Sequence, residues 1–79
     1  MNSIRVLGTE WCSDCTRAKA FFAENNIAYD WVDVDVDQEA LAECVELNGG
    51  QRVVPTIIFE DGDILVEPSN DQLAQKLGL

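Results

Sequence analysis

The sequence has no histidine, and only three cysteines and five basic residues among its 79 positions. Each shortage closes a class of function. A zinc site needs about four ligands, and three cysteines without a histidine fall short within one chain. The same three cysteines are too few, and wrongly spaced, for a disulfide-stapled secreted scaffold. Five basic residues against fifteen acidic ones give a net charge of −10. Phosphate contacts need Lys and Arg, so neither nucleic acid nor an anionic membrane surface is an expected partner. Basic protein partners would be steered toward such a chain, and anionic small thiols mildly repelled. No apolar run approaches the roughly 18 residues of a membrane span. Met1-Asn2-Ser3-Ile4-Arg5 lacks the charged and then apolar order of a signal peptide, and the expected location is therefore the cytoplasm. With no repeat, linker or low-complexity stretch, residues 1–79 read as a single domain.

What is present suffices for a core. Nearly half the residues are hydrophobic, with Phe21, Phe22, Phe59, Trp11, Trp31 and Tyr29 among them, although a chain this short buries only about 60% of its unfolded surface. Ser3 to Leu7 alternates at the period of a strand, and Gly8-Thr9-Glu10 is expected to turn the chain. A helix follows from about Ser13 to Asn25, with Cys15, Ala18 and Phe22 on one stripe and Asn25-Asn26 as its stop. Ile27 to Val34 reads as a second strand, parallel to the first across a right-handed crossover. Asp33, Asp35 and Asp37 then alternate with valines. The pattern matches the opening of a calcium loop, but the sixth position is Gln38 and the twelfth Cys44, which excludes it. A half-buried strand running into a helix cap is the better reading. Asp37 caps a helix over Gln38 to Asn48, ended by Gly49-Gly50, which places Cys44 with Leu41 and Val45 on a core-facing side. Ile57-Ile58-Phe59 and Ile64-Leu65-Val66 form a hairpin through Asp61-Gly62. Pro68 stops it, and Ser69-x-x-Gln72 is a capping box for a last helix with Leu73 and Leu77 inward. The order is β-α-β-α-β-β-α, an α/β fold with a four-stranded mixed sheet flanked by three helices.

The chemistry concentrates in Trp11-Cys12-Ser13-Asp14-Cys15. Cys12 stands at a helix mouth, where unsatisfied N–H groups and the dipole favour thiolate. Cys15 lies one turn on, within reach of a disulfide, so the pair reads as a thioredoxin-like redox motif. Asp14 is a helix-favouring first-turn acid whose carboxylate opposes thiolate formation at Cys12, a pKa-tuning role. Trp11 is placed to shield Cys12 and touch a partner.

Cys12-x-x-Cys15 after the first strand, Val54-Pro55 before the third, Asn48-Gly49-Gly50, Asp61-Gly62 and Pro68-Ser69 together resemble a glutaredoxin of the short bacterial branch that includes the mycoredoxins. The resemblance spans essentially the whole chain and implies the minimal thioredoxin-like fold. It implies a disulfide oxidoreductase with Cys12 as nucleophile, Cys15 as resolving thiol and a redox-active Cys12–Cys15 disulfide in place of any cofactor. Val54-Pro55 would be a cis peptide, with backbone beside Val53 and Val54 pairing to the substrate. Ser69 and Asn70 would offer N–H groups to a carboxylate. The implied partners are a low-molecular-weight thiol, such as glutathione or mycothiol, and disulfide-bearing proteins. A flavoprotein reductase is an alternative electron source, and the chain is expected to be a monomer. Three positions depart from the glutathione-using pattern: Thr9 stands for Lys, Val53 for Thr, and Asn70-Asp71 for paired aspartates. Two other classes fit the same thiols: a dimer sharing an iron–sulfur cluster through two Cys12 thiolates, and an interaction module whose thiols are inert.

Overall fold

The structure, a computed structural model, describes residues 3–79. Its elements follow the expected order: β1 (Arg5–Gly8), α1 (Ser13–Glu24), β2 (Asp30–Asp33), α2 (Gln38–Leu47), β3 (Thr56–Ile58), β4 (Ile64–Val66) and α3 (Asn70–Leu77). The sheet order is β2-β1-β3-β4. β1 runs parallel to β2 and antiparallel to β3, which pairs antiparallel with β4.

The two-residue period of β1 divides the core into two layers. Val6 and Ile57 face α1 and α3, where they meet Ala18, Phe21, Phe22 and Leu73. Leu7 faces the other way, toward Val34, Ala40 and Cys44 of the α2 side. Phe22 and Leu73 are fully buried, and the Phe22 ring sits 5.0 Å from that of Tyr29. α2 is also tied to the sheet at its polar edge, since the Arg5 guanidinium grips the Glu43 carboxylate through two hydrogen bonds of 3.0 and 2.7 Å.

The helix signals act as expected because they are local. Asp37 accepts from the Ala40 N–H at 3.0 Å, Ser69 and Gln72 form the reciprocal capping box, and Asn26 takes the left-handed conformation after α1. The β3–β4 hairpin closes through Glu60-Asp61-Gly62, with Gly62 at φ 89° and the Phe59 N–H donating to the Asp63 carbonyl at 2.8 Å. Among the described residues no helix is long and apolar enough to cross a membrane.

Two expectations need correction. Gly8 is the last residue of β1, paired with Asp33, rather than part of a turn. The second strand is confined to Asp30–Asp33 and does not continue through Val34. Asp33 ends it: its side chain accepts from the Asp35 N–H at 2.9 Å, and its carbonyl accepts from the N–H groups of Val36 and Asp37. The alternating aspartates therefore occupy a turn, and Val36 points into solvent. Turn closure by a short acidic side chain outweighs the period-2 pattern here.

Candidate active site

The site is built where β1 hands over to α1. Cys12 is the helix N-cap, with φ −85° and ψ 119°, and its sulfur accepts a hydrogen bond from the Cys15 N–H at 3.1 Å. An orphan helix donor is thus satisfied by sulfur, which accepts more strongly as thiolate. The Cys12 carbonyl receives the Thr16 N–H and hydroxyl at 3.1 and 3.2 Å, fixing the first turn. On its open side, the Cys12 thiol lies 3.8 Å from the Val54 carbonyl, to which it donates.

Cys15 is different in every respect. It is fully buried, and its thiol is pushed up to about 12, first by burial and then by its hydrogen bond with Cys12. A hydrogen bond from the Thr9 backbone pulls the other way, with less effect. Gly8 makes room for this sulfur. A Cβ on Gly8 would fall 2.8 Å from the Cys15 Sγ and 2.6 Å from the Trp31 ring. Thr9 is also buried, its hydroxyl unpartnered, so it offers nothing at the surface where the glutathione-using pattern has a lysine.

The Val54–Pro55 peptide is cis, as expected from the resemblance. Behind it, the Val53 carbonyl accepts from the Thr56 hydroxyl at 2.7 Å and from the Cys44 thiol at 3.3 Å. Asn48 completes this knot by donating to the Thr56 hydroxyl at 3.0 Å and to the Cys44 carbonyl at 2.8 Å. Cys44 is a fully buried core thiol that also steadies the proline loop.

A cleft of about 530 Å³ opens over Cys12, lined by Trp11, Ser13, Asp14, Arg52, Val53, Val54 and Glu67 as well. The structure thus gathers Trp11, Cys12, Asp14, Val53 and Val54 at one opening, with Cys15 and Pro55 buried. Ser69 and Asn70 do not line it. The Ser69 N–H is taken by Gln72 at 2.8 Å, and the Asn70 side chain accepts from Arg17 at 3.3 Å. Asp14 is paired with Arg17 at 3.1 Å.

Two residues of the cleft region, Asp35 and Glu67, were not foreseen. Asp35 accepts from the Trp11 indole at 2.8 Å and from Arg52 at 2.9 Å, while the Arg52 guanidinium lies 5.4 Å from the centre of the Trp11 ring. Glu67 lines the cleft at φ 48°, held by its N–H on the Pro55 carbonyl at 2.9 Å. Sequence separation hid the Trp11–Asp35–Arg52 cluster, whereas Glu67 carries no local signal of its left-handed backbone.

A thioredoxin-like sheet with paired thiols at a helix mouth, facing a cis-proline loop, defines the broad class. The narrower assignment follows from comparison. The glutaredoxin family model matches residues 4–64, and the chain belongs to that family. A candidate glutaredoxin of Mycobacterium tuberculosis is 40% identical over 75 residues, covering 95% of this chain and 89% of its own. Mycoredoxin 1 of Corynebacterium glutamicum is 31% identical over 78 residues, covering 98% and 95%. Among solved structures, a thioredoxin-like protein at 28% identity superposes with TM-score 0.76 over 91% of this chain and 96% of its own. The Methanosarcina mazei glutaredoxin shares the fold, with TM-score 0.82 at 23% identity over 99% and 80%. Family and fold support thiol-disulfide oxidoreductase activity in general.

Proposed function

We propose that this protein reduces protein disulfides, or mixed disulfides with low-molecular-weight thiols, through a dithiol mechanism. The observation that carries the reading is the contrast between the two sulfurs. Cys12 opens to the cleft and accepts from the Cys15 N–H, while Cys15 is buried with its proton held tightly.

Cys12 thiolate attacks one sulfur of the substrate disulfide, and the other sulfur leaves as thiolate and takes a proton from water. The Cys12 sulfur is now in a mixed disulfide and can no longer accept as a thiolate. The Cys12 contribution to holding the Cys15 proton is thereby lessened. Cys15 releases its proton, attacks the Cys12 sulfur and expels the second thiol. Two electrons pass to the substrate, and the protein is left with a Cys12–Cys15 disulfide. A low-molecular-weight thiol such as glutathione or mycothiol restores the dithiol, and a flavoprotein reductase is the alternative source of electrons. The Val54 backbone, beside the Cys12 sulfur, pairs with the substrate backbone as an added strand would. Trp11, 66% exposed, forms a wall against the bound partner. The protein acts as a monomer in the cytoplasm.

Single turnover with a peptide disulfide tests the scheme. Cys12→Ser should abolish reduction, and Cys15→Ser should accumulate a mixed disulfide at Cys12 visible by intact mass. Release of both thiols by Cys15→Ser at the native rate would sink the resolving role.

A further inference from the structure

The charges around the cleft do not cancel evenly. Of the two carboxylates lining it, Asp14 is held by Arg17. Arg52, the cation in the lining, is held by Asp35 and lies against the Trp11 ring. Among the described residues Glu67 has no such counter-ion. Its backbone is fixed in the left-handed region by its hydrogen bond to Pro55, so its side chain is anchored next to the proline loop that faces Cys12.

Resting on the oxidoreductase reading above, we propose that Glu67 is a specificity-determining residue of the cleft. It selects disulfides bearing a cationic group beside the reacting sulfur and rejects those bearing a carboxylate. Each lining ion pair spends its own charge locally, so a ligand meets the Glu67 carboxylate as the uncompensated charge. A substrate ammonium offsets the cost of bringing that carboxylate under a bound partner, whereas a substrate carboxylate faces like charge in a partly desolvated cleft. The chain's net charge of −10 adds a long-range bias of the same sign. Glu67 touches the flanking group, not the sulfurs, and the disulfide exchange itself is unchanged. The substrate gains two electrons and two protons, and the protein closes its Cys12–Cys15 disulfide.

The test uses the pre-reduced full chain in single turnover with three matched disulfides: cystamine, bis(2-hydroxyethyl) disulfide and 3,3′-dithiodipropionate. They differ only in ending in ammonium, hydroxyl or carboxylate. Each rate is divided by that of the same disulfide with dithiothreitol, which removes leaving-group differences. Cystamine should outpace the dicarboxylate by about tenfold at low salt, with the preference shrinking as salt is added. Glu67→Gln should cut the preference about threefold, and Glu67→Lys should cut it further. Glu60→Gln removes the same charge at the opposite end of the sheet, beside Phe59 and Ile4, and should leave the preference intact. A preference that Glu67→Gln does not move, or that Glu60→Gln moves equally, overturns the assignment to Glu67. Reduction of all three at one normalised rate refutes the selectivity while leaving the oxidoreductase reading standing. Failure to reduce even the hydroxyl disulfide refutes both.

Discussion

Replacing Gly8 with alanine adds one methyl group at the point where the sheet, the Trp31 ring and the Cys15 sulfur converge. The new Cβ would sit 2.6 and 2.8 Å from two carbons of the Trp31 ring and 2.8 Å from the Cys15 Sγ. All three separations are well inside normal contact, which begins near 3.5 Å. Trp31 is not free to swing away without loss, because its indole donates to Glu10 at 3.1 Å and the Lys19 ammonium lies 4.0 Å from its ring. Overpacking of this kind costs about 1–3 kcal/mol. Alanine also stiffens the unfolded chain, which returns about 0.4–1 kcal/mol. The net expectation is a loss of about 1–2 kcal/mol, and a fall in Tm of about 5–15 °C for a domain of this size. Urea and thermal unfolding of the reduced protein would measure it. Repeating the substitution in a Trp31→Ala background should recover about half the loss, since one of the two obstacles is then absent. A Gly8→Ala protein as stable as the parent, or a loss unchanged without Trp31, would refute the packing argument.

The raised Cys15 thiol ties stability to alkaline pH. The group sits at about 12 in the folded chain against an ordinary 9.0, so its contribution is complete below pH 9 and fades as pH rises toward 12. The reduced protein should lose about 4 kcal/mol across that window as an upper bound, and Cys15→Ala should flatten the loss; equal alkaline sensitivity in both would contradict the assignment. Thr56→Val should destabilise by about 1–3 kcal/mol in urea, because a fully buried hydroxyl that serves both Val53 and Asn48 disappears; a neutral result would mean the knot relaxes without cost. The Arg5–Glu43 bridge is partly exposed, so a double-mutant cycle should give about 0.5–1 kcal/mol of coupling after solvent screening. The hydrogen bond to Arg5 holds the Glu43 carboxyl below its usual range, so this coupling should be full above the ordinary carboxylate range and vanish as acid titrates the folded group.

Most of the scaffold was readable from local sequence. Asp37, Ser69 with Gln72, and Asp61-Gly62 each act within a few residues of themselves, and the structure uses them as caps and a turn. The paired thiols were readable for the same reason, since the strand before them and the helix after them set their surroundings. The less readable parts depend on segments that meet only after folding. Asp35 looked like one step in an alternating strand, yet it draws together Trp11 and Arg52 from distant parts of the chain. Gly8 looked like a turn glycine, because nothing in its neighbours announces that Trp31 and Cys15 will close over it. The β2 ladder is shorter than its apolar run because Asp33 closes a turn with its own side chain.

The proposed dithiol mechanism requires Cys12 and Cys15 to form one reversible redox couple from which Cys44 is excluded. A redox titration followed by thiol trapping and intact mass tests it directly. A single two-electron transition should consume Cys12 and Cys15, with Cys44, buried between α2 and the proline loop, recovered as free thiol throughout once the chain is unfolded for labelling. A transition that consumes Cys44, or no reversible pairing of Cys12 with Cys15 at any potential, would contradict it.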